Sequence, residues 1–534
     1  MQFFLPLNKQ KSMSVIPTPL LVSATCVALV VALPLAYLFI RSLGAPEEAW
    51  ASIFRLRTMH TLWRTVQLVF TVTLFSILLS LPIAWLTVRT DLPLRRLWVV
   101  ATSLPLVIPS YVGAFLIVSF LGPKGLLQNI LSGPFGVDRL PEIYGLFGAT
   151  FTLSLLSYPY VLLTVRGALM GIDPSLEESA RTLGLGRLAV IFKVTIPLLR
   201  PSILAGSLLV ALYTVSDFGA VSLLNYETLT RSIYLSYTAL DRNGAALLSL
   251  FLAGFAFLIL LTEAKFRGKK LYYRTGAGTA RLSTVVRLGY WKWPALIFCS
   301  LVVAVALIIP LSILAYWLVR GVLVGETFVV LWDPIRNSIF VSMLACVATV
   351  FCAMPVAALS ARYPGFLSRV VEKISFTGFA LPGIVVALSI VFFGIGWARP
   401  IYQTVWLLVF AYVILFLPAA LGSIRASFLQ LSPKQEEASR GLGKNSLQTM
   451  ISITIPQLRS GVVAGAVLVF LVTLKELPAT LLLAPLEFGT LATKIWTASE
   501  EAFFAQAALP AIILIIISCV PMVFLIFKDS RTRN

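Results

Sequence analysis

Residues 174–184 read PSLEESARTLG, and residues 433–443 read PKQEEASRGLG, which is the same pattern 259 residues later. The same offset pairs further residues without a gap: Pro159 with Pro418, Arg166 with Arg425, Pro197 with Pro456, Arg200 with Arg459, Gly206 with Gly465, and Asp217 with Glu476. Chance identity does not hold a gapless register over about fifty residues. The chain therefore contains two copies of one unit.

The repeat continues upstream with an offset of 273 residues, which pairs Pro82 with Pro355 and Arg89 with Arg362. The change of offset reflects a longer loop in the first copy, around residues 122–142. We predict three parts of the chain: a first repeat at 1–264 with its loop at 173–200, a linker at 265–292, and a second repeat at 293–534 with its loop at 432–459.

Composition indicates a membrane protein, since 59% of the 534 residues are hydrophobic and only 12% are charged. A span needs about 20 apolar residues, and the apolar runs predict twelve spans, near 17–40, 62–88, 98–121, 143–165, 201–224, 244–264, 293–319, 337–361, 374–396, 401–424, 460–483 and 507–527. Each repeat holds six, and an even number gives both repeats the same direction. The predicted fold is an all-α polytopic membrane protein of two parallel six-helix repeats.

The charges predict the orientation, because Lys and Arg mark cytoplasmic loops. With the N-terminus inside, the cytoplasmic segments hold 29 basic and 9 acidic residues, whereas the outer segments hold 13 of each. The net charge of +20 then lies on one face. We expect both termini in the cytoplasm, contact with membrane lipid and no nucleic acid partner, since membrane orientation explains the basic character.

Both copies of the repeated loop predict a short capped helix in the cytoplasm. Asp173 and Ser432 each precede a Pro, which is a favourable helix start, and Ser432 with Gln435 fits a capping box. Gly184 and Gly443 permit a left-handed C-cap. We expect the Pro of each following Ile-Pro pair to break the helix before the next span.

The loops resemble the EAA loop of binding-protein-dependent ABC importer permeases. The motif falls on Glu178-Ser179-Ala180, Gly184 and Ile196-Pro197, and again on Glu437-Ala438-Ser439, Gly443 and Ile455-Pro456. The resemblance implies the type I importer fold and two coupling helices that insert into a separate ATPase, where the Glu pairs with basic groups. It assigns the ATPase-coupling role to Glu178, Ala180, Gly184, Pro197, Glu437, Ala438, Gly443 and Pro456.

The same resemblance implies the partners. We expect two copies of a cytoplasmic ABC ATPase, a periplasmic or lipid-anchored substrate-binding protein, and a place in the bacterial cytoplasmic (inner) membrane. The sequence has no GxxxxGK[ST] phosphate loop, so we expect no cofactor on this chain, with ATP and Mg used by the partner subunit. The chain is then a transport subunit and not an enzyme.

A narrower resemblance concerns the substrate. Residues 475–483, KELPATLLL, and their counterpart at 216–224, SDFGAVSLL, look like the fused two-half permeases of ferric iron importers. Ionisable groups at membrane depth usually line a pathway, so we assign Asp217 and Glu476, which match in the repeat, to the substrate pathway. Glu227 and Glu487 lie at its outer mouth and are assigned to the same pathway. These acids alternatively cap helices or dock the delivery protein, and we assign no metal site.

Alternative functions stay open at this point. Related permeases for thiamine, polyamines and other small solutes share the architecture. A secondary transporter is disfavoured by the parallel repeat, and a membrane enzyme is disfavoured because the sequence has no clustered catalytic residues.

Overall fold

The computed structural model describes residues 16–136, 139–267, 285–326 and 331–531. Within these ranges the secondary structure is helical, apart from one isolated parallel bridge between Thr90 and Val286. Most of the predicted linker, and the ends of the two termini predicted to be cytoplasmic, lie outside the described residues. The predicted all-α fold is confirmed.

The helices of the first repeat begin and end as follows: α1 (Thr18–Leu43), α2 (Glu47–Ile53), α3 (Leu56–Arg89), α4 (Arg95–Ala101), α5 (Ser110–Leu121), α6 (Leu126–Phe135), α7 (Leu146–Gly171), α8 (Pro174–Thr182), α9 (Arg187–Val190), α10 (Ile196–Ser216), α11 (Gly219–Leu223), α12 (Leu229–Thr238) and α13 (Arg242–Arg267).

The helices of the second repeat are α14 (Lys292–Val303), α15 (Ile309–Val324), α16 (Trp332–Arg362), α17 (Phe366–Thr377), α18 (Gly383–Trp397), α19 (Val405–Gln430), α20 (Pro433–Gly441), α21 (Ser446–Thr449), α22 (Ile455–Leu474), α23 (Pro478–Leu483), α24 (Leu491–Glu500) and α25 (Phe504–Arg531).

Eleven helical stretches in the described part of the chain are long and apolar enough to cross a membrane. A twelfth candidate is a bent pair, Phe366–Ala380 with Gly383–Trp397, whose axes meet at 105°. The expectation of about twelve spans is therefore met, and each repeat contributes half of them.

The third span of each repeat differs from the continuous helix that the apolar runs predict. In the first repeat α4 ends at Ala101, and α5 begins at Ser110 directly after Pro109. In the second repeat the bend falls at Pro382, the residue that matches Pro109 in the repeat. A proline has no N–H to donate and its ring clashes with the preceding turn, so the helix breaks there.

The chain divides into two compact units that do not follow the repeat boundary. The smaller unit comprises Met1–Leu33, Ala345–Phe379 and Val413–Val469, and the larger unit comprises Pro34–Leu344, Ala380–Tyr412 and Phe470–Asn534. The first coupling loop lies in the larger unit and the second in the smaller. The boundaries at 264 and 293 stay a prediction from the repeat.

The core of the larger unit forms where α3, α7 and α10 pack together. Tyr158 of α7 is fully buried there, and its hydroxyl donates to the Thr102 carbonyl oxygen at 2.6 Å. The Ser80 hydroxyl donates to the Tyr158 carbonyl oxygen at 2.7 Å. Small hydroxyl side chains thus join helices whose remaining contact surface is apolar, which is typical of membrane bundles.

A glycine brings the fourth and fifth spans together in each repeat. In the larger unit, a Cβ on Gly206 would lie 2.7 Å from the Val161 Cα. In the smaller unit, a Cβ on Gly465 would lie 3.1 Å from the Ala420 Cα. Both pairs are separated by the same 45 residues, so the same close backbone approach occurs in both copies.

Three π-helical turns occur in the described residues, at Ile191–Thr195, Ala304–Ile308 and Met450–Thr454. Each is followed directly by an Ile-Pro pair at the start of a long helix. The wider hydrogen-bond pattern of a π turn tolerates a proline that cannot donate. The prediction that Pro197 and Pro456 break the helix is therefore wrong, since the helix runs through them.

Candidate coupling and transport sites

The first coupling loop folds into the short helix α8, between the fourth and fifth spans. The Asp173 carboxylate accepts a hydrogen bond from the Ser175 N–H at 3.0 Å, as expected of an N-cap. Gly184 follows the helix with φ +85°, in the left-handed region that favours glycine. Ala180 is buried, whereas Glu178 is exposed.

The second coupling loop repeats this geometry in helix α20, with Gly443 at φ +87°. The predicted capping box at Ser432 does not form, because its side chain makes no capping hydrogen bond. The residue buried against the loop is Ser439, which lies 3.1 Å from the Thr449 hydroxyl, and not Ala438, which is exposed. The structural counterpart of Ala180 is thus Ser439.

The two acids of each loop differ in their surroundings. Glu178 and Glu437 are exposed and contact no cation among the described residues. Glu177 and Glu436 are turned inward, toward Arg89 and Arg362 respectively. Each of these helices therefore presents one exposed carboxylate, at the position that the motif assigns to ATPase contact.

Asp217 lies just beyond the end of α10 and is buried. Its Oδ1 accepts hydrogen bonds from the N–H groups of Ala220 at 3.0 Å and Val221 at 3.3 Å, at the start of α11. The Asp217 carbonyl accepts from the Thr230 hydroxyl at 2.7 Å. The carboxylate thus caps a short helix where the fifth span ends.

Glu476 occupies the matching place after α22. Its Oε1 accepts from the Ala479 N–H at 3.3 Å, at the start of α23, and also faces Gly383. The neighbouring Lys475 is partly buried and donates to the Leu106 carbonyl oxygen at 2.8 Å. Both repeats therefore set one carboxylate against the start of a short helix, which is a capping role and leaves the pathway role a prediction.

The two remaining pathway acids lie in exposed places. Glu227 pairs with Arg64, and both side chains are nearly half exposed. Glu487 is exposed, and no residue in the described ranges pairs with it. In the same ranges no group of three or more His, Cys, Asp or Glu side chains is close enough to hold a metal ion.

Comparison with known proteins decides the family. The model of the family described as "Binding-protein-dependent transport system inner membrane component" matches residues 76–265 and again residues 353–531. The chain belongs to this family. The permease is therefore a multi-pass inner-membrane transport component, and the two matches fall one on each copy of the repeat.

Several relatives resemble the permease over different lengths. It is 33% identical over 508 residues to the Fe(3+)-transport system permease protein FbpB 2 of Haemophilus influenzae, covering 94% of this chain and 96% of that one. It is 23% identical to the ferric transport system permease protein FbpB of Actinobacillus pleuropneumoniae, covering 80% and 65%. The molybdenum transport system permease protein ModB of Escherichia coli aligns at 34% over 210 residues, covering 37% and 90%.

Sequence reasoning missed several residues that the permease brings to the coupling loops. Arg89 and Arg362 matched in the repeat, and so did Glu177 and Glu436, yet nothing in the sequence paired the cations with the acids. The motif assigns the coupling role to Ala438, the alanine of Glu437-Ala438-Ser439, whereas the buried residue is Ser439. The repeat register was the signal that would have found the Arg and Glu residues.

Proposed function

We propose that the permease is the membrane subunit of an ATP-driven importer that moves ferric iron delivered by a binding protein. The observation that carries this proposal is the similarity to FbpB 2 of Haemophilus influenzae, which extends over 94% of the chain. The aligned region includes both coupling helices, α8 and α20, and both Asp217 and Glu476. A second relative that is named for ferric transport, FbpB of Actinobacillus pleuropneumoniae, supports the same substrate.

Energy for transport comes from separate subunits in this proposal. Two exposed carboxylates, Glu178 and Glu437, each stand on a short helix that is followed by a left-handed glycine, which suits two docked copies of an ABC ATPase. ATP and Mg bind to those copies, and this chain holds no cofactor of its own. Both termini lie in the cytoplasm, since the net charge of +20 then lies on that side.

Iron passes near Asp217 and Glu476 in this proposal, with Glu227 and Glu487 at the outer entrance. Hard carboxylate oxygens suit hard cations. The capping bonds at Ala220, Val221 and Ala479 use only one oxygen of each carboxylate, Oδ1 of Asp217 and Oε1 of Glu476. In this proposal the second oxygen of each acid contacts the passing ion.

The test is iron uptake by cells or proteoliposomes that carry Asp217→Asn together with Glu476→Gln. The amides still accept the capping bonds, so the fold is preserved, but the negative charge is removed. We expect uptake to fall, because ionisable groups at membrane depth usually line the pathway that an ion follows. Unchanged uptake, with ATP hydrolysis still coupled, would remove both acids from the pathway.

Substrate identity needs its own measurement. The purified complex with its ATPase and binding protein is assayed for ATP hydrolysis with ferric ion, molybdate, thiamine or a polyamine. We expect stimulation by ferric ion alone. Stimulation by one of the other solutes would keep the importer assignment and overturn the iron assignment.

A further inference from the structure

Each coupling helix is tied to its own bundle by a buried Arg–Glu pair and a threonine. In the larger unit, Arg89 Nη2 lies 3.4 Å from Glu177 Oε1, and the Thr195 hydroxyl donates to the same oxygen at 3.1 Å. In the smaller unit, Arg362 Nη2 donates to Glu436 Oε1 at 2.9 Å, and the Thr454 hydroxyl donates to it at 3.2 Å. The same three residue types thus meet in both copies.

The positions of these residues connect three elements. Arg89 and Arg362 are the last residues of the long helices α3 and α16. Glu177 and Glu436 lie in the first turn of the coupling helices α8 and α20. Thr195 and Thr454 are the last residues of the π-helical turns before α10 and α22. Each carboxylate therefore contacts the cytoplasmic ends of two spans at once.

Because both Arg–Glu pairs are largely buried, removing either partner of a pair should be costly. The Arg89 and Glu177 side chains are 3% and 17% exposed, and Arg362 and Glu436 are both 14% exposed. Removing one partner of such a pair leaves an uncompensated charge in a poorly hydrated place. An Arg at a helix C-terminus and a Glu in a first helical turn are also each favoured by the helix dipoles.

The second copy holds its carboxylate more tightly. Arg362 Nη1 also donates to the Leu431 carbonyl oxygen at 3.1 Å, and its guanidinium lies 5.7 Å from the Phe428 ring centroid. Among the described residues, no hydrogen-bond partner is found for Arg89 Nε and Nη2. Its backbone carbonyl instead accepts from the Val286 N–H at 2.8 Å.

We propose that Glu177 and Glu436 are positioning residues that transmit motion of each coupling helix to two spans, through Arg89 with Thr195 and through Arg362 with Thr454. This inference rests on the proposed function, because it takes α8 and α20 to be moved by an ATPase. It divides the acidic pair by role: the outer acid, Glu178 or Glu437, faces the ATPase, and the inner acid connects the helix to the membrane domain.

The test uses the full chain co-expressed with its own ABC ATPase and binding protein and reconstituted into proteoliposomes with ferric ion as the probe. We compare the wild type with Glu177→Gln plus Glu436→Gln. We expect the ATPase to co-purify in the wild-type ratio and basal hydrolysis to persist. Stimulation by the loaded binding protein should fall about tenfold, within the usual range for coupling between linked sites.

Two further variants separate transmission from simple folding. Glu142→Gln removes an exposed Arg–Glu pair, with Arg139, whose side chains are 67% and 74% exposed, and it should leave stimulation unchanged. Exchanging the charges, with Arg89→Glu and Glu177→Arg together with Arg362→Glu and Glu436→Arg, should recover part of the lost stimulation.

Several outcomes would overturn the inference. Unchanged stimulation in the double Gln variant shows that the pairs transmit nothing, and loss of ATPase co-purification shows that these acids dock the ATPase instead. If the double variant fails to fold, Thr195→Val plus Thr454→Val removes only the hydroxyl bonds, and unchanged stimulation there has the same meaning. A wild-type chain that binds no ATPase contradicts the proposed function itself, whereas stimulation by a solute other than iron leaves the inference standing.

Discussion

The Glu476 carboxylate lies against Gly383, in the space that a side chain at residue 383 would occupy. A Cβ on Gly383 would lie 2.4 Å from Glu476 Oε1. The first repeat has a different pair at these positions: Ser110 matches Gly383, and the shorter Asp217 matches Glu476. A glycine with a glutamate in one copy thus corresponds to a serine with an aspartate in the other.

This pairing predicts the result of a double exchange. Gly383→Ser alone forces the Glu476 carboxylate away from the Ala479 N–H, and we expect it to cost about 1 to 3 kcal/mol, as overpacking does. Adding Glu476→Asp recreates the pair of the first repeat and should restore most of that loss. Thermal unfolding in detergent measures both variants.

Gly254→Ser serves as the control, because no heavy atom lies within 4 Å of a Cβ on Gly254. We expect its thermal midpoint to stay near the wild-type value. If Gly383→Ser behaves like Gly254→Ser, then the carboxylate has room to move and the two residues are not matched.

The coupling helices depend on their terminal glycines for a defined end. Gly184 and Gly443 have φ of +85° and +87°, and open space surrounds both. Any cost of adding a side chain there comes from the backbone alone. We expect Gly184→Ala and Gly443→Ala each to lose about 1 kcal/mol of helix stability, and Asn at the same positions to lose less, since Asn tolerates the left-handed region.

Gly186→Ala provides the matched comparison, since Gly186 has equally open surroundings and no left-handed backbone. Thermal midpoints of the three variants in the complex with the ATPase give the measurement. Equal midpoints for Gly184→Ala and Gly186→Ala would contradict a strained C-cap.

Much of this architecture was predictable from the sequence, for identifiable physical reasons. Long apolar runs predict spans because lipid demands them, and the terminal glycines predict the ends of α8 and α20. The bends at Pro109 and Pro382 were missed because an apolar run looks the same on both sides of a break. The inward turn of Glu177 was missed because its partner, Arg89, lies 88 residues away.

At the start of the fifth spans, the sequence predicts helix breaks that the structure does not contain. Pro197 and Pro456 read as helix breakers, yet the π turns before them keep the helix continuous. A π turn depends on packing around the whole bundle and has no local composition of its own. An Ile-Pro pair follows each π turn in the described residues. The pairs can be read in the sequence, but their association with π turns is seen only in the structure.

Within the larger unit, the end of the predicted linker contacts the loop that follows α3. Val286 bridges the backbone after α3: its N–H donates to the Arg89 carbonyl, and its carbonyl accepts from the Asp91 N–H at 3.2 Å. The Asp91 carboxylate accepts from the Leu288 N–H and from Lys292, each at 2.9 Å. The start of the second repeat is thereby fastened to a loop of the first.

These contacts of the Asp91 carboxylate predict that the thermal stability of the protein depends on pH. The Leu288 N–H and the Lys292 ammonium hold the pKa of Asp91 below its ordinary value of 3.8. A carboxyl with a lowered pKa contributes stability above the ordinary pKa, and that contribution is lost as the pH falls through the lowered value. We expect Asp91→Ala to lower the thermal midpoint slightly at pH 7.

The difference between wild type and Asp91→Ala should shrink as the pH falls below 3.8 and through the lowered pKa, where Asp91 in the folded protein becomes protonated. Asp333→Ala, which removes an exposed pair with Arg336, is the control for a general effect of losing an acid. An Asp91→Ala midpoint that equals wild type at pH 7, or a difference independent of pH, would show that the linker end is not fastened through this carboxylate.

The bridge at Val286 also has a consequence for biosynthesis. During translation the hydrogen bond between the Asp91 carboxylate and the Leu288 N–H cannot form until Leu288 is synthesised, 197 residues after Asp91. By then the first repeat has been synthesised in full, and the loop that follows α3 is completed by residues that lie beyond this repeat. A first repeat expressed alone and ending at residue 264 would lack Val286 and Leu288, so Arg89 and Asp91 would lose these backbone partners.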